Sequence, residues 1–223
     1  MEVKRACRVK LVVFDVDGVL VPIKSSWGYI HEKLGTDTES RTNYELFRDK
    51  KIGYWEWMYL DTLAWIEAKP GITRWDLEQI FSSVEIPSSV KRAFNRVKQR
   101  KLLTALVSGG IDILVSRVAE ELQADYWISP QLCFDPWGHL VPGGLPRIEA
   151  DRKDKAILAL SRTLGVSLRE VAFIGDSKWD LEGMREACLS VAVNVGDDEE
   201  LRKIADYVAV DIEEAVDYVL RHT

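Results

Sequence analysis

Two aspartates spaced by one residue, Asp15 and Asp17 in the run Asp15-Val16-Asp17-Gly18, follow a nearly unbroken apolar stretch over residues 9–14. If the backbone stays extended, that spacing sends both carboxylates to one face. Two carboxylates in one site repel unless a cation or a proton intervenes, so the pair either binds a divalent metal or holds one carboxyl protonated. Phosphoryl transfer uses both arrangements. One carboxylate attacks phosphorus, while the other protonates the leaving oxygen and later deprotonates the water that hydrolyses the intermediate. A capping or turn role is the competing interpretation, since Asp and Gly also favour turns.

Three further places carry chemistry. Val107-Ser108-Gly109-Gly110 runs straight into a helical pattern near Ile111, so a hydroxyl and main-chain N–H groups converge on a helix N-terminus. That is either an anion site or a plain Ser-Gly turn. Ile174-Gly175-Asp176-Ser177-Lys178-Trp179-Asp180 adds two carboxylates at the end of another apolar run. Mg²⁺ favours oxygen ligands and keeps several waters, so Asp15, the Asp17 main-chain carbonyl and Asp176 suffice to hold it, with Asp180 acting directly or through water. Asp180 also suits the cap of a helix starting at Leu181. A phosphate dianion needs a cation besides the metal, and the one basic cluster ahead of a core helix is Arg152-Lys153-Asp154-Lys155. Such a run also reads as a solvated helix start.

The elements that must position these residues alternate. Apolar, β-branched runs at 9–14, 102–107, 171–174, 190–195 and 207–210 read as buried strands. Helical patterns at 111–122, 154–164, 181–187, 199–204 and 212–220 separate them. The alternation predicts an α/β fold, a doubly wound Rossmann-like parallel sheet whose ligands sit at the carboxyl ends of its strands. Residues 22–95 interrupt it with helical periods and no strand pattern, predicting an inserted α-helical cap on a core of residues 1–21 and 96–223. Within the cap, a helix through residues 54–68 ends at Lys69-Pro70-Gly71, Thr73 with Asp76 forms an N-cap start, and Ile86-Pro87-Ser88 opens another helix. Trp55, Leu63 and Ile66 share helical spacing and read chiefly as packing. A smaller insertion over 126–145 contains a hairpin with a Pro/Gly turn at 133–140.

Composition narrows the class. The chain has 223 residues, 47% of them hydrophobic, enough for a full core, and its net charge of −6 argues against nucleic-acid or anionic-membrane binding. Cys7, Cys133 and Cys188 are odd in number and scattered, which predicts reduced thiols in the cytoplasm, with neither a disulfide framework nor a zinc site. The run after Met1-Glu2-Val3-Lys4-Arg5 is broken by Asp15 and Asp17, too short for a membrane span. His31, His139 and His222 have no matching nucleophile motif and read as surface or hairpin residues.

Together, DVDGVL at 15–20, VSGG at 107–110, Lys153 ahead of a helix and GDSKWD at 175–180 resemble, in order and position, the four motifs of the haloacid dehalogenase superfamily of phosphohydrolases. The likeness is closer to its phosphoserine phosphatase-like branch, with VSGG before a helix, a hairpin like 127–141 and a helical insertion after the first strand. The resemblance implies that Asp15 is the nucleophile, Asp17 the acid/base, Ser108 and Gly109 the phosphate cradle, and Asp176 a magnesium ligand. Lys153 suits the motif's distances, with Lys155 as alternate. Three positions depart from that branch: Lys24 stands where an acidic residue meets the substrate amine, no Arg lies near Asp61 or Thr62 to meet the carboxylate, and Trp179 replaces an Asn. The implied protein is a Mg²⁺-dependent phosphatase of a small phosphorylated metabolite other than phosphoserine, with Lys24 and Trp27 as specificity candidates. A phosphomutase, or a catalytically silent regulator that binds a phosphorylated ligand, is the alternative. Dehalogenation is disfavoured because dehalogenating members lack the second aspartate found here as Asp17.

Overall fold

A computed structural model describes residues 7–196 and 198–223. The opening segment Met1 to Arg5 discussed above lies outside them.

Six strands form one parallel sheet: β1 (Leu11–Phe14), β2 (Leu103–Val107), β3 (Tyr126–Ile128), β6 (Val171–Gly175), β7 (Leu189–Ala192) and β8 (Tyr207–Val208). Their spatial order is β3-β2-β1-β6-β7-β8. Every residue of β1 is buried, as its continuous apolar run requires of a central strand covered on both faces. Side-chain alternation divides the core in two. Val12, Phe14, Leu106, Ala172 and Ile174 point into one apolar cluster. Leu11, Val13, Ala105, Val107, Val171 and Phe173 point into the other. Helices α5 (Ser88–Gln99), α6 (Asp112–Leu122) and α10 (Ile212–Leu220) cover the first face. The opposite face is closed by α7 (Lys153–Leu164), α8 (Leu181–Glu186) and α9 (Glu199–Ile204). The expected doubly wound sheet is therefore present.

From β1 the chain first builds outward through β2 and β3, then returns to place β6 on the other side of β1. The order reverses between β1 and β6, so the switch-point crevice opens at the carboxyl ends of these two strands. Phe14 is in register with both Leu106 and Ile174, which brings Asp15, Ser108 and Asp176 to one edge.

Four helices lie between β1 and α5: α1 (Ser26–Leu34), α2 (Asp37–Arg48), α3 (Tyr54–Ala68) and α4 (Arg74–Phe81). Thr73 and Asp76 form the expected capping box at the start of α4, each side chain accepting from the other's main-chain N–H. Strands β4 (Gln131–Phe134) and β5 (Leu140–Leu145) form the hairpin, which buttresses α3. There the Trp55 indole donates to the Gly144 carbonyl at 3.1 Å and Gly143 N–H donates to Thr62 Oγ1 at 2.7 Å.

Several expectations change in three dimensions. The boundary at residue 95 falls inside α5, whose Arg92 and Arg96 pair with Glu213 and Asp217 of α10, so that helix leans on the core. Residues 126–128, placed in the smaller insertion, form the edge strand β3; its apolar run, Tyr-Trp-Ile, is only three residues long and two of them are exposed. On α3 the buried face carries Tyr54, Met58, Asp61, Thr62, Ala64 and Trp65, whereas Trp55 is exposed against the hairpin. His31 is fully buried rather than superficial, its Nδ1 2.7 Å from Thr36 Oγ1. Cys7 and Cys188 are disulfide-bonded, with Cα atoms 6.0 Å apart, leaving Cys133 as the free thiol among the described residues. A separation of 181 residues gave no local sign of this pairing. No helix among the described residues is long and apolar enough to cross a membrane.

Candidate active site

Asp15 follows the last residue of β1 and is 5% exposed. Its main-chain N–H donates to Ile174 O at 2.9 Å, tying it to β6, and its Oδ1 accepts from Val16 N at 2.7 Å. Oδ2 lies 2.8 Å from the Nζ of Lys153, the first residue of α7, which is itself 1% exposed. The same ammonium reaches Asp180 Oδ1 at 2.6 Å. Burial opposes its charge, yet Asp15 and Asp180 outweigh that penalty and hold Lys153 above the ordinary lysine range. Lys155, the alternate, is exposed and lines no part of the cavity, because a helix points residues two apart in different directions.

Asp180 plays a different part from Asp176. Its Oδ2 accepts from the N–H groups of Asp176 and Ser177 at 2.9 and 3.0 Å, so both oxygens are engaged and the loop after β6 is pinned around it. Gly175 permits this closeness, since a Cβ there would lie 2.4 Å from the Asp180 carboxyl carbon. Gly18, at φ +76°, does the same across the crevice: a Cβ there would stand 2.0 Å from Asp176 Oδ2.

Asp17 sits beside Asp15 as the spacing predicted, 9% exposed. Its Oδ2 accepts the N–H of Ser26 at 2.6 Å, while Oδ1 is buried with no partner. Burial pushes this carboxyl above the ordinary aspartate range, against the pull of the Ser26 bonds. Burial raises Asp15 to about 7 against the pull of the Lys153 ammonium, and burial followed by the charges of Asp15 and Asp180 raises Asp176 to about 8. Carboxylate oxygens of Asp15, Asp176 and Asp180 lie within 4.8 Å of one another. Hard oxygen donors gathered this closely, with two carboxyls whose ionisation is suppressed, fit a Mg²⁺ ion, which would favour their charged forms. The Asp17 carboxylate is outside this group.

Ser108 is fully buried after β2, its Oγ accepting from Gly110 N at 3.0 Å. Gly109 and Gly110 are compact by necessity: a Cβ on the first would meet Ala150 at 2.7 Å and on the second Asp17 Oδ2 at 2.9 Å. Trp27 closes over this loop, donating from Nε1 to Gly109 O at 3.0 Å. A cavity of about 500 Å³ extends from Asp15, Asp17, Ser108, Gly109, Lys153 and Asp176 to the helices above, and Lys24 and Trp27 line it as well. Its far wall is built by two helix faces, positions 37, 40, 41 and 44 of α2 and 54, 57, 58 and 61 of α3, each at i, i+3, i+4, i+7 spacing.

Sequence reasoning did not single out Ser26. Its N–H holds Asp17, and its Oγ accepts from Ile111 N at 2.9 Å, joining the first residue of α1 to the Ser108 loop. The Ser25-Ser26 pair ahead of Trp27 is an N-cap signal that would have marked it, and Ser25 does cap α1 by accepting from Gly28 N.

The class these features define is that of α/β phosphohydrolases, with their chemistry at the carboxyl edge of a parallel sheet. The family model for haloacid dehalogenase-like hydrolases matches residues 9–187, and the chain belongs to that family. Within it the chain falls in the phosphoserine phosphatase-like branch. It is 27% identical over 198 residues to a phosphoserine phosphatase of Archaeoglobus fulgidus, covering 88% of this chain and 55% of the relative, so it spans little more than half of that protein. Identity to a phosphoserine phosphatase of Albidiferax ferrireducens is also 27%, over 82% of this chain and 78% of the relative. A solved substrate-bound phosphoserine phosphatase complex superposes with a TM-score of 0.77 at 20% identity, covering 95% of this chain and 98% of that one.

Proposed function

We propose that this chain is a Mg²⁺-dependent phosphatase that hydrolyses a small phosphomonoester, other than phosphoserine, through an aspartyl-phosphate on Asp15. One observation carries the reading: Asp15 is clamped by the Lys153 ammonium at 2.8 Å beside Asp176, while Asp17 presents a buried, unbonded Oδ1. Asp15, the Asp17 carbonyl and Asp176 would hold the metal, which would neutralise charge on the phosphoryl oxygens and on the nucleophile.

An Asp15 oxygen attacks phosphorus and the bond to the leaving alkoxide breaks as Asp17 delivers its proton to that oxygen. The Ser108–Gly109 loop and Lys153 offset charge on the phosphoryl group. Asp17, now ionised, takes a proton from water as that water attacks the aspartyl-phosphate, which restores Asp15 and releases phosphate. Its raised pKa favours the protonated start of this cycle. Asp180 positions Asp176 and Lys153. Helices α1 to α4 act as the cap that excludes water and selects the leaving group, with Lys24 and Trp27 lining the cavity beneath it.

Lys24 and Asp61 in the cavity wall support a substrate other than phosphoserine, because neither charge matches what the phosphoserine phosphatase pattern places there. The test is Mg²⁺-dependent phosphate release from p-nitrophenyl phosphate by the purified protein. Activity should vanish in Asp15→Asn, and normal turnover in that variant would refute the nucleophile.

A further inference from the structure

Rings wall the cavity that opens from Asp15. Trp27 of α1, Tyr44 of α2, Tyr54, Trp57 and Met58 of α3, and Trp179 in the turn after β6 all line it. Trp57 stands among the others: Tyr44, Tyr54 and Trp179 have their ring centroids 5.8, 5.9 and 6.2 Å from it. Phe47 does not line the cavity but stacks on Trp57 at 4.6 Å, a second layer that holds the ring in place. The wall thus joins the sheet edge, through Trp179, to α2 and α3.

The polar tips of these side chains are spent on the protein. Trp27 Nε1 donates to Gly109 O at 3.0 Å, and the Tyr44 hydroxyl is bound to Lys178 Nζ at 2.7 Å. Burial, followed by the negative charges of Asp151, Asp61 and Glu149, holds the Tyr54 phenol above its ordinary range and so uncharged. Asp61, buried in the same wall, has its Oδ1 engaged by Asn43 Nδ2 at 2.9 Å, with His31 Nε2 3.4 Å away. Lys24, Asp37, Arg41 and Lys178 also line the cavity but are exposed, on its solvent side. Basic groups there favour the approach of a phosphate dianion. The inner wall therefore presents ring faces and the Met58 thioether.

A hydroxyl-rich leaving group would lose its water against such a wall and gain few hydrogen bonds in return. An apolar one gains by burying its own surface. The volume of about 500 Å³ has room for a ring beyond the phosphoryl group. We propose that the alcohol released by this enzyme is apolar and ring-bearing, seated against Tyr44, Trp57 and Trp179; the substrate class is a phosphomonoester of a cycloalkyl or arylalkyl alcohol. This inference rests on the phosphatase reading above. The three rings are specificity residues and take no part in bond breaking.

The test uses the wild-type protein with Mg²⁺ and esters of primary alcohols, so that the bond broken is alike throughout. Cyclohexylmethyl phosphate against glucose 6-phosphate compares an apolar with a hydroxylated ring of the same size, and 3-phenylpropyl phosphate against propyl phosphate adds a ring. In both pairs the apolar ring ester should show a kcat/KM at least about tenfold higher, since one methylene in an apolar pocket is already worth about that much. A smaller ratio in either pair overturns the inference. In Trp57→Ala the phenylpropyl-to-propyl ratio should fall at least about fivefold, mainly through KM of the ring ester, and a ratio that survives also overturns it. If circular dichroism shows that Trp57→Ala does not fold, Tyr44→Ser on the neighbouring helix takes its place in the same comparison. p-Nitrophenyl phosphate, whose leaving group is activated, separates the two levels: hydrolysis of it without the ring preference sinks the inference alone, whereas no phosphate from any ester sinks the phosphatase reading with it.

Discussion

The main-chain N–H of Ser26 donates to Asp17 Oδ2 at 2.6 Å, so the first residue of α1 orients a carboxylate at the edge of the sheet. The Ser26 hydroxyl at the same time accepts from Ile111 N at 2.9 Å. Ser26→Ala keeps the first bond but leaves a buried N–H without an acceptor. Its expected cost is about 1–3 kcal/mol in urea unfolding, and the slackened loop should lower kcat by roughly ten- to a hundredfold. A variant with unchanged stability and turnover would show that the link is incidental.

Lys153 is the buried cation between Asp15 and Asp180, at 2.8 and 2.6 Å. Lys153→Met leaves two buried carboxylates facing each other. Loss of about 3–5 kcal/mol is expected, along with loss of phosphate release. Thermal unfolding and the p-nitrophenyl phosphate assay read the two effects separately.

Stability should depend on pH and Mg²⁺ in opposite senses. Asp15 and Asp176 rise from an ordinary 3.8 to about 7 and about 8 in the fold, chiefly through burial. The native state therefore binds more protons than the unfolded chain across this window. Stability from these groups is full below about pH 4 and drains away as pH climbs to about 8. The Tm of the metal-free protein should fall over pH 5–8 relative to Asp176→Asn, whose curve is flatter. Mg²⁺ should raise Tm more at pH 8 than at pH 5, because it binds the ionised carboxylates. A Mg²⁺ increment independent of pH would contradict the site.

The Cys7–Cys188 bridge predicts a thiol count. Ellman's reagent on protein unfolded without reductant should titrate one group, Cys133, and three after reduction. Three thiols before reduction would restore the reading made from scattered cysteines.

Sequence alone determined the central strand, the alternation that builds the sheet, the α4 capping box and the identity of the acidic residues at the strand ends. Those features are written within a few neighbouring residues, as apolar runs, helical spacing and cap chemistry, and Asp15 and Asp17 share a site because β1 leads directly into both. Tertiary structure decided what each group touches. Lys153 finds Asp180 across 27 positions, Ser26 reaches Ile111 across 85, and Cys7 meets Cys188 across 181. His31 and Asp61 could not be placed from spacing, since a polar residue buried in the cap reads locally like one on its surface. The edge strand β3 was hidden for a related reason: its three residues, Tyr-Trp-Ile, are too short a run to mark a strand, and its pairing with β2 is made by the backbone. Local pattern fixes which element a residue joins, but partners and burial follow from how the elements pack, and that packing buries Asp17 and gives Asp15 the Lys153 ammonium as counter-ion.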